Sequence, residues 1–204
     1  MNDFERMLRD AAGTLPAAPG AAAAERLAER AAGEGLLDVA YAPVDSPLGP
    51  LLVAATPRGL ARVAYLESWS PDQVLEDLAE RVSPRVMEAP ERLDEQRREL
   101  EDYFTGRRTE FEFPIDWSVL RGFTRKVLRE TARIHFGDVR TYADVAAGAG
   151  SPRAVRAAGN ALGANPMPIV VPCHRVIRTG GALGGYTGGL ERKEFLLRLE
   201  GSLL

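Results

Sequence analysis

The 204-residue chain has a single cysteine, Cys173, two histidines, His135 and His174, and no lysine in its first 114 residues. One cysteine excludes an internal disulfide framework and any zinc site built on several thiolates. A structural zinc takes four ligands, which one cysteine and two histidines cannot supply without carboxylates. Long apolar runs are also missing. No stretch approaches the roughly 20 apolar residues of a membrane helix, and the four alanines at 21–24 are followed at once by Glu25 and Arg26. The chain opens with Asp3 and Glu5 rather than with a basic region before an apolar segment, so no secretory leader is read. These absences predict a cytoplasmic chain with no membrane partner. The length, with 45% hydrophobic and 27% charged residues, suits one generous domain or two small ones.

Acidic residues are unevenly spread. Residues 1–114 carry 13 Arg against 22 Asp and Glu, while residues 115–204 carry 13 Lys and Arg against 7 Asp and Glu. No acid occurs in the 46 residues between Asp144 and Glu191, a stretch that holds Arg153, Arg156, Arg175 and Arg178. A basic half poor in acids is the footprint of a surface facing phosphates. A chance cluster beside an acidic domain would look the same.

The pattern predicts an α+β fold with three parts. Residues 1–37 read as an appendage: a short amphipathic helix over 3–12, a Gly/Pro-rich linker, and an Ala-rich helix near 21–32. Residues 38–115 read as a small α/β scaffold domain. Strands are expected at Val39–Val44, Leu51–Thr56 and Leu60–Leu66, with the turn Asp45-Ser46-Pro47-Leu48-Gly49 between the first two. Ser70-Pro71 starts a helix, another spans about 91–105, and Phe111, Phe113 and Ile115 alternate like a last strand. Residues 116–204 read as mainly helical. Phe123, Val127, Thr131 and Ile134 carry one helix towards Gly137, and Thr141 with Asp144 forms a capping-box start for a second. Ser151-Pro152 signals a third, running to about Gly163 and placing Arg153 and Arg156 one turn apart. Two short helices joined by a Gly-containing turn outline a helix-turn-helix, although simple packing pairs share that outline.

The run from Asn165 to Val176 carries the chemistry. Pro166, Pro168 and Pro172 exclude a helix and predict an extended, rigid backbone around buried Ile169-Val170-Val171. The lone cysteine follows, beside His174 and Arg175. A nucleophilic thiol needs rigid placement, positive surroundings and a base within reach. A buried structural cysteine with a satisfied histidine is the alternative. On an extended chain the two neighbours point apart, so a bend or a water must bridge them. The Gly-rich loop 180–189 fits neither a dinucleotide fingerprint nor a Walker loop. Its glycines suit close backbone approach to a flat ligand, with Tyr186 as a wall, or simply a flexible loop.

Pro172-Cys173-His174-Arg175-Val176 resembles the active-site signature of the O6-alkylguanine-DNA alkyltransferases, the methylated-DNA–protein-cysteine methyltransferases. The likeness continues through Phe123-Thr124, Thr141-Tyr142, Pro152 to Ala157, Asn165-Pro166, Tyr186 to Leu190, Lys193 to Leu197 and Glu200-Gly201, and covers roughly residues 38–201. The resemblance implies repair of O6-alkylguanine, and of O4-alkylthymine, in double-stranded DNA, by a monomer acting once and without a cofactor or metal. It implies Cys173 as alkyl acceptor, His174 as base through a water, and Glu200 as the acid orienting the histidine. Tyr142 would assist base extrusion and protonate guanine N3, and Asn165 would order the turn before the cysteine. Val176 and Thr187 would meet the base through their backbones, beside Tyr186. Arg156 would fill the place of the flipped base, and Arg153 would contact DNA beside it. Thr187, Gly185 and Leu162 depart from commoner members, which leaves pocket size and alkyl range open. Two rivals remain: a lesion-binding relative without transfer, which would replace the cysteine, and a cysteine hydrolase, which would need an oxyanion hole.

Overall fold

The Asp45–Gly49 turn sets the register of the sheet. Ser46 accepts the Leu48 N–H on its hydroxyl and the Gly49 N–H on its carbonyl, and Gly49 takes a φ of 91° that favours glycine. In the computed structural model, which describes residues 21–202, this turn joins β1 (Val39–Val44) to β2 (Leu51–Thr56) in antiparallel pairing. The helix expected over 3–12 and the linker after it fall outside the described residues.

β3 (Gly59–Tyr65) pairs with β2, and β4 (Val86–Glu88) runs parallel to β1, giving the order β3-β2-β1-β4. The Ala-rich helix is α1 (Ala21–Gly33), docked through Ala28 and Ala31 against Leu37, Ala40 and Ala89. The helix after Ser70 is α2 (Pro71–Arg81), with a complete Ser70–Gln73 capping box. It covers one sheet face, where Val74 and Leu78 meet Val39, Leu52, Ala54 and Ala64. A short 3-10 turn, Pro90–Leu93, leads into α3 (Asp94–Phe104).

The last strand expected at Phe111–Ile115 is not a strand but a single parallel bridge between Leu60 and Ile115. Phe111 and Phe113 do not alternate across a sheet. Their rings lie 5.4 Å apart, and Phe111 also packs 5.3 Å from Tyr103. Pro114 has no N–H for a ladder; its carbonyl instead accepts the Leu60 N–H, so close to Gly59 that a Cβ there would lie 2.2 Å away.

The C-terminal half contains α4 (Gly122–Thr131), β5 (Arg140–Thr141), α5 (Tyr142–Gly148), α6 (Val155–Gly163), β6 (Val176–Ile177) and α7 (Leu190–Leu199). α5 and α6 pack together and against α4 as the helix-turn-helix. α4 ends six residues before Gly137: Thr131 bonds back to the Val127 carbonyl, and the chain then turns, with Ile134 N–H on Thr131 O. The capping box at Thr141 and Asp144 is present. Ser151-Pro152, in contrast, does not cap a helix. Ser151–Ala154 closes a separate turn, Ala154 N–H to Ser151 O, and α6 begins at Val155. Proline at the second position of a β-turn carries the same local signal as proline at a helix start. Arg153 therefore sits in the turn and Arg156 on the helix, not one turn apart on a shared helix.

One apolar cluster runs through both halves, from Leu51, Val53 and Tyr65 of the sheet through Leu100 and Tyr103 to Leu128, Ala158, Val171 and Leu196. No helix among the described residues is long and apolar enough to cross a membrane.

Candidate active site

Asn165 organises the segment that carries the cysteine. Its amide donates to the Val171 carbonyl (2.8 Å) and to Cys173 Sγ (3.1 Å), and its Oδ1 accepts the Met167 N–H (3.0 Å). The proline-rich run is not extended. Val171 N–H reaches back to Met167 O, and Ile169 between them has a φ of 75°. A β-branched residue in that region is strained by about 1–3 kcal/mol. The prolines block a helix, and the buried amides are then satisfied by the Asn165 side chain and a tight turn rather than by extension.

Cys173, His174 and Arg175 form one 3-10 turn, and all three are buried. β6, just beyond, pairs in parallel with β5, Arg140 with Val176 and Thr141 with Ile177. That pairing brings Tyr142, the first residue of α5, beside the cysteine segment. The Tyr142 hydroxyl lies 3.4 Å from Gly185 O, and Gly184 approaches it so closely that a Cβ would stand 2.7 Å from the hydroxyl oxygen. Burial raises the Tyr142 pKa, so the phenol keeps its proton at neutral pH.

Glu200 caps α7 and is buried among donors. Its Oε1 accepts from His174 Nε2 (2.9 Å), the Tyr103 hydroxyl (2.6 Å) and Arg175 Nη2 (2.9 Å), and its Oε2 accepts from Arg175 Nε (2.8 Å). Burial works to raise its pKa, but hydrogen bonds from His174 and Arg175 outweigh that and hold it at about 2. An ionised Glu200 accepts only, so His174 Nε2 carries the proton. His174 Nδ1 is then a lone-pair acceptor, fully buried, with no hydrogen-bond partner among the described residues. Burial also lowers the His174 pKa below its ordinary 6.5. Burial pushes the Cys173 thiol up to about 11, opposed by the Asn165 hydrogen bond and the Lys193 charge. The resting pair is thus a thiol beside a neutral imidazole, and reaction requires a base.

The remaining expected residues divide into two groups. Tyr186 stands at the site, with its ring 6.4 Å from His174 and its hydroxyl 2.8 Å from that of Tyr65 on β3. Val176 O accepts from buried Lys193 (2.6 Å), and Thr187 Oγ1 donates to Gly163 O (2.9 Å). Arg153 and Arg156 are exposed at the start of the α6 region. Arg175 departs from the expected phosphate-facing arginines. It is buried, paired with Glu200 and bonded to the Ile134 carbonyl, with its guanidinium 5.9 Å over Phe136. His135 is exposed and takes no part in the cysteine site.

Two family patterns lie side by side over residues 39–202. Residues 39–117 match the 6-O-methylguanine DNA methyltransferase ribonuclease-like domain, and residues 122–202 match the DNA binding domain of the same family. The chain belongs to the 6-O-methylguanine DNA methyltransferase family. The constitutive methylated-DNA–protein-cysteine methyltransferase of Bacillus subtilis is 39% identical over 163 residues, covering 78% of this chain and 94% of that protein. The methylated-DNA–protein-cysteine methyltransferase of Homo sapiens is 39% identical over 168 residues, covering 79% and 80%. The crystal structure of Mycobacterium tuberculosis OGT in complex with DNA is similar at a TM-score of 0.68 and 38% identity, covering 80% of this chain and 93% of that one. Among the described residues of this methyltransferase, no group of three or more His, Cys, Asp or Glu could hold a metal ion.

Sequence reasoning missed Arg175 as a site residue and Tyr103 altogether. The charge pattern placed Arg175 on the surface, and Tyr103 belongs to the half read as scaffold. The neutral imidazole also sets a pH dependence. Transfer is expected to plateau through neutrality and to fall on acidification, with its limb below the ordinary imidazole range. Protonation removes the base, and the folded-state pKa is lowered, not raised. Single-turnover rates between acid and neutral pH measure this limb.

Proposed function

We propose that Cys173 takes the alkyl group from an O6-alkylguanine flipped out of double-stranded DNA. The observation that carries this is the buried pair of a thiol held by Asn165 and a neutral imidazole held by ionised Glu200. His174 takes the thiol proton through a water, and the thiolate attacks the alkyl carbon. The S–C bond forms as the C–O6 bond breaks, with the electron pair leaving on the guanine. Tyr142 gives a proton to N3, which makes the purine a better leaving group, and is reprotonated from His174. The products are a thioether and guanine. The site offers no second nucleophile to cleave the thioether, so each chain acts once. All the proposed groups come from one chain, which suits a monomer.

Residues 116–204 supply the acceptor and the DNA contacts in this reading, and the N-terminal half supports them. Arg156 occupies the place of the flipped base, and Arg153 contacts a phosphate. Extrusion costs a few kcal/mol of stacking and pairing. Arg156→Ala should therefore slow repair of duplex DNA roughly thirtyfold, equivalent to about 2 kcal/mol. It should lose much less on single-stranded DNA and least on free O6-benzylguanine. Arg153→Ala should instead weaken binding evenly and lower its salt dependence. Equal loss by Arg156→Ala on duplex and free base would reassign it to the pocket.

Mixing the purified protein with label-bearing O6-methylguanine duplex tests the whole reading. Covalent label on the protein supports it. Binding without transfer would mean a lesion reader, and neither result, with ester hydrolysis instead, would mean a cysteine hydrolase.

A further inference from the structure

We propose that Tyr103, from the N-terminal half, is a positioning residue of the proton relay, its hydroxyl fixing the Glu200 carboxylate that orients His174. The inference rests on the relay proposed above and extends it across the boundary between the halves. Tyr103 is fully buried on α3, and its hydroxyl donates to Glu200 Oε1 at 2.6 Å, the same oxygen that receives His174 Nε2. A buried phenol needs a partner, but a backbone carbonyl would serve. Here the partner is the carboxylate of the site.

The ring is held so that the hydroxyl has little choice of direction. Phe104 lies 5.5 Å from it, Phe111 5.3 Å and Phe136 6.1 Å. Phe136 belongs to the C-terminal half and also lies beneath the Arg175 guanidinium. One aromatic cluster therefore aims both of the other donors on Glu200. With Arg175 spanning both oxygens and Tyr103 on Oε1, the carboxylate cannot rotate away from His174 without breaking several buried bonds. Burial raises the Tyr103 pKa far above its ordinary value, so the phenol remains a donor throughout the working range. His174 itself faces Glu200 and Lys193 from the last helix, Arg175 and Cys173 from its own turn, and Tyr186 from the glycine-rich loop. Tyr103 reaches it only through Glu200.

Tyr103→Phe removes one oxygen and keeps the packed ring. In the full chain, transfer at neutral pH is expected to slow about threefold to tenfold, less than the full worth of a hydrogen bond to a charged group because the loss reaches the thiol only through the relay. The acid limb of the rate profile should move to higher pH. A carboxylate that has lost a donor holds the imidazole proton more tightly. Affinity for methylated duplex should not change. Incorporation of 3-fluorotyrosine at position 103 alone, a stronger donor of nearly the same shape, should move the limb to lower pH. It remains informative if Tyr103→Phe folds poorly. Phe136→Leu, which loosens the ring cluster but keeps the hydroxyl, should leave the limb closer to wild type than Tyr103→Phe does. Wild-type rate and an unmoved limb in both position-103 variants would overturn the inference. Glu200→Gln separates the two levels: if it transfers at the wild-type rate, the relay itself is wrong, whereas slow transfer by Glu200→Gln with unchanged position-103 variants removes Tyr103 alone.

Discussion

Cys173→Ser is expected to abolish alkyl transfer while leaving affinity for methylated duplex DNA nearly intact. The hydroxyl can still accept the Asn165 hydrogen bond, so the turn built by Asn165 should persist. Chemistry is where the two atoms differ. The thiol, though raised to about 11 by burial, is still ionised far more readily than an alcohol and is the stronger nucleophile once ionised. Deprotonating the thiol costs the neutral histidine far less than deprotonating a serine hydroxyl would. The DNA contacts proposed above lie on exposed groups of the α6 region, which the substitution does not touch. The measurement pairs a transfer assay on labelled duplex with a binding titration on the same preparation. Loss of binding together with transfer would mean that Cys173 supports the fold; retained transfer would move the acceptor elsewhere.

Arg175→Met is expected to destabilise the fold by about 3–5 kcal/mol, the cost of leaving one partner of a buried ion pair alone. The guanidinium makes two bonds to Glu200 and one to the Ile134 carbonyl, and the pair is almost wholly shielded from water. Methionine fills much of the volume but returns none of these bonds. The effect has a definite pH sign. In the wild type the depressed Glu200 pKa contributes stability that is present above the ordinary carboxylate range and lost as pH falls towards about 2. In Arg175→Met the carboxylate has lost its main counter-charge, and burial raises its pKa. The difference between the two proteins should therefore be largest at neutral pH and narrow on acidification. Adding Glu200→Gln should restore part of the loss, because the stranded charge is gone while the amide oxygen still accepts from Tyr103 and His174. Urea unfolding of the single and double variants at neutral and acidic pH measures all three quantities. A single variant as stable as wild type at neutral pH would mean that the pair contributes nothing to the fold.

The sequence showed what is local and hid what is distant. The cysteine, its histidine, Asn165 and the capping box at Thr141 lie in short runs whose residue types already limit the backbone. Strand β4 has three residues, too few to show a period in the sequence. Ser151-Pro152 reads as a helix start because a β-turn uses the same pair. Arg175 reads as part of the basic surface because composition records charge and not burial. Its partner Glu200 lies 25 residues on, beyond the acid-free stretch. Tyr103 is the clearest case. Its hydroxyl meets a carboxylate 97 residues away, and next to Phe104 it has the pattern of an ordinary core aromatic. Glu200 itself is marked by family resemblance and not by any spacing in the chain.

The most direct measurement of alkyl acceptance at Cys173 is the mass of the intact protein and of its peptides after incubation with excess O6-methylguanine duplex DNA. Each chain should gain one methyl group, located on Cys173, and repair should stop at one guanine restored per protein however long the incubation. Guanine released beyond one equivalent, or the methyl group found on another residue, would contradict it.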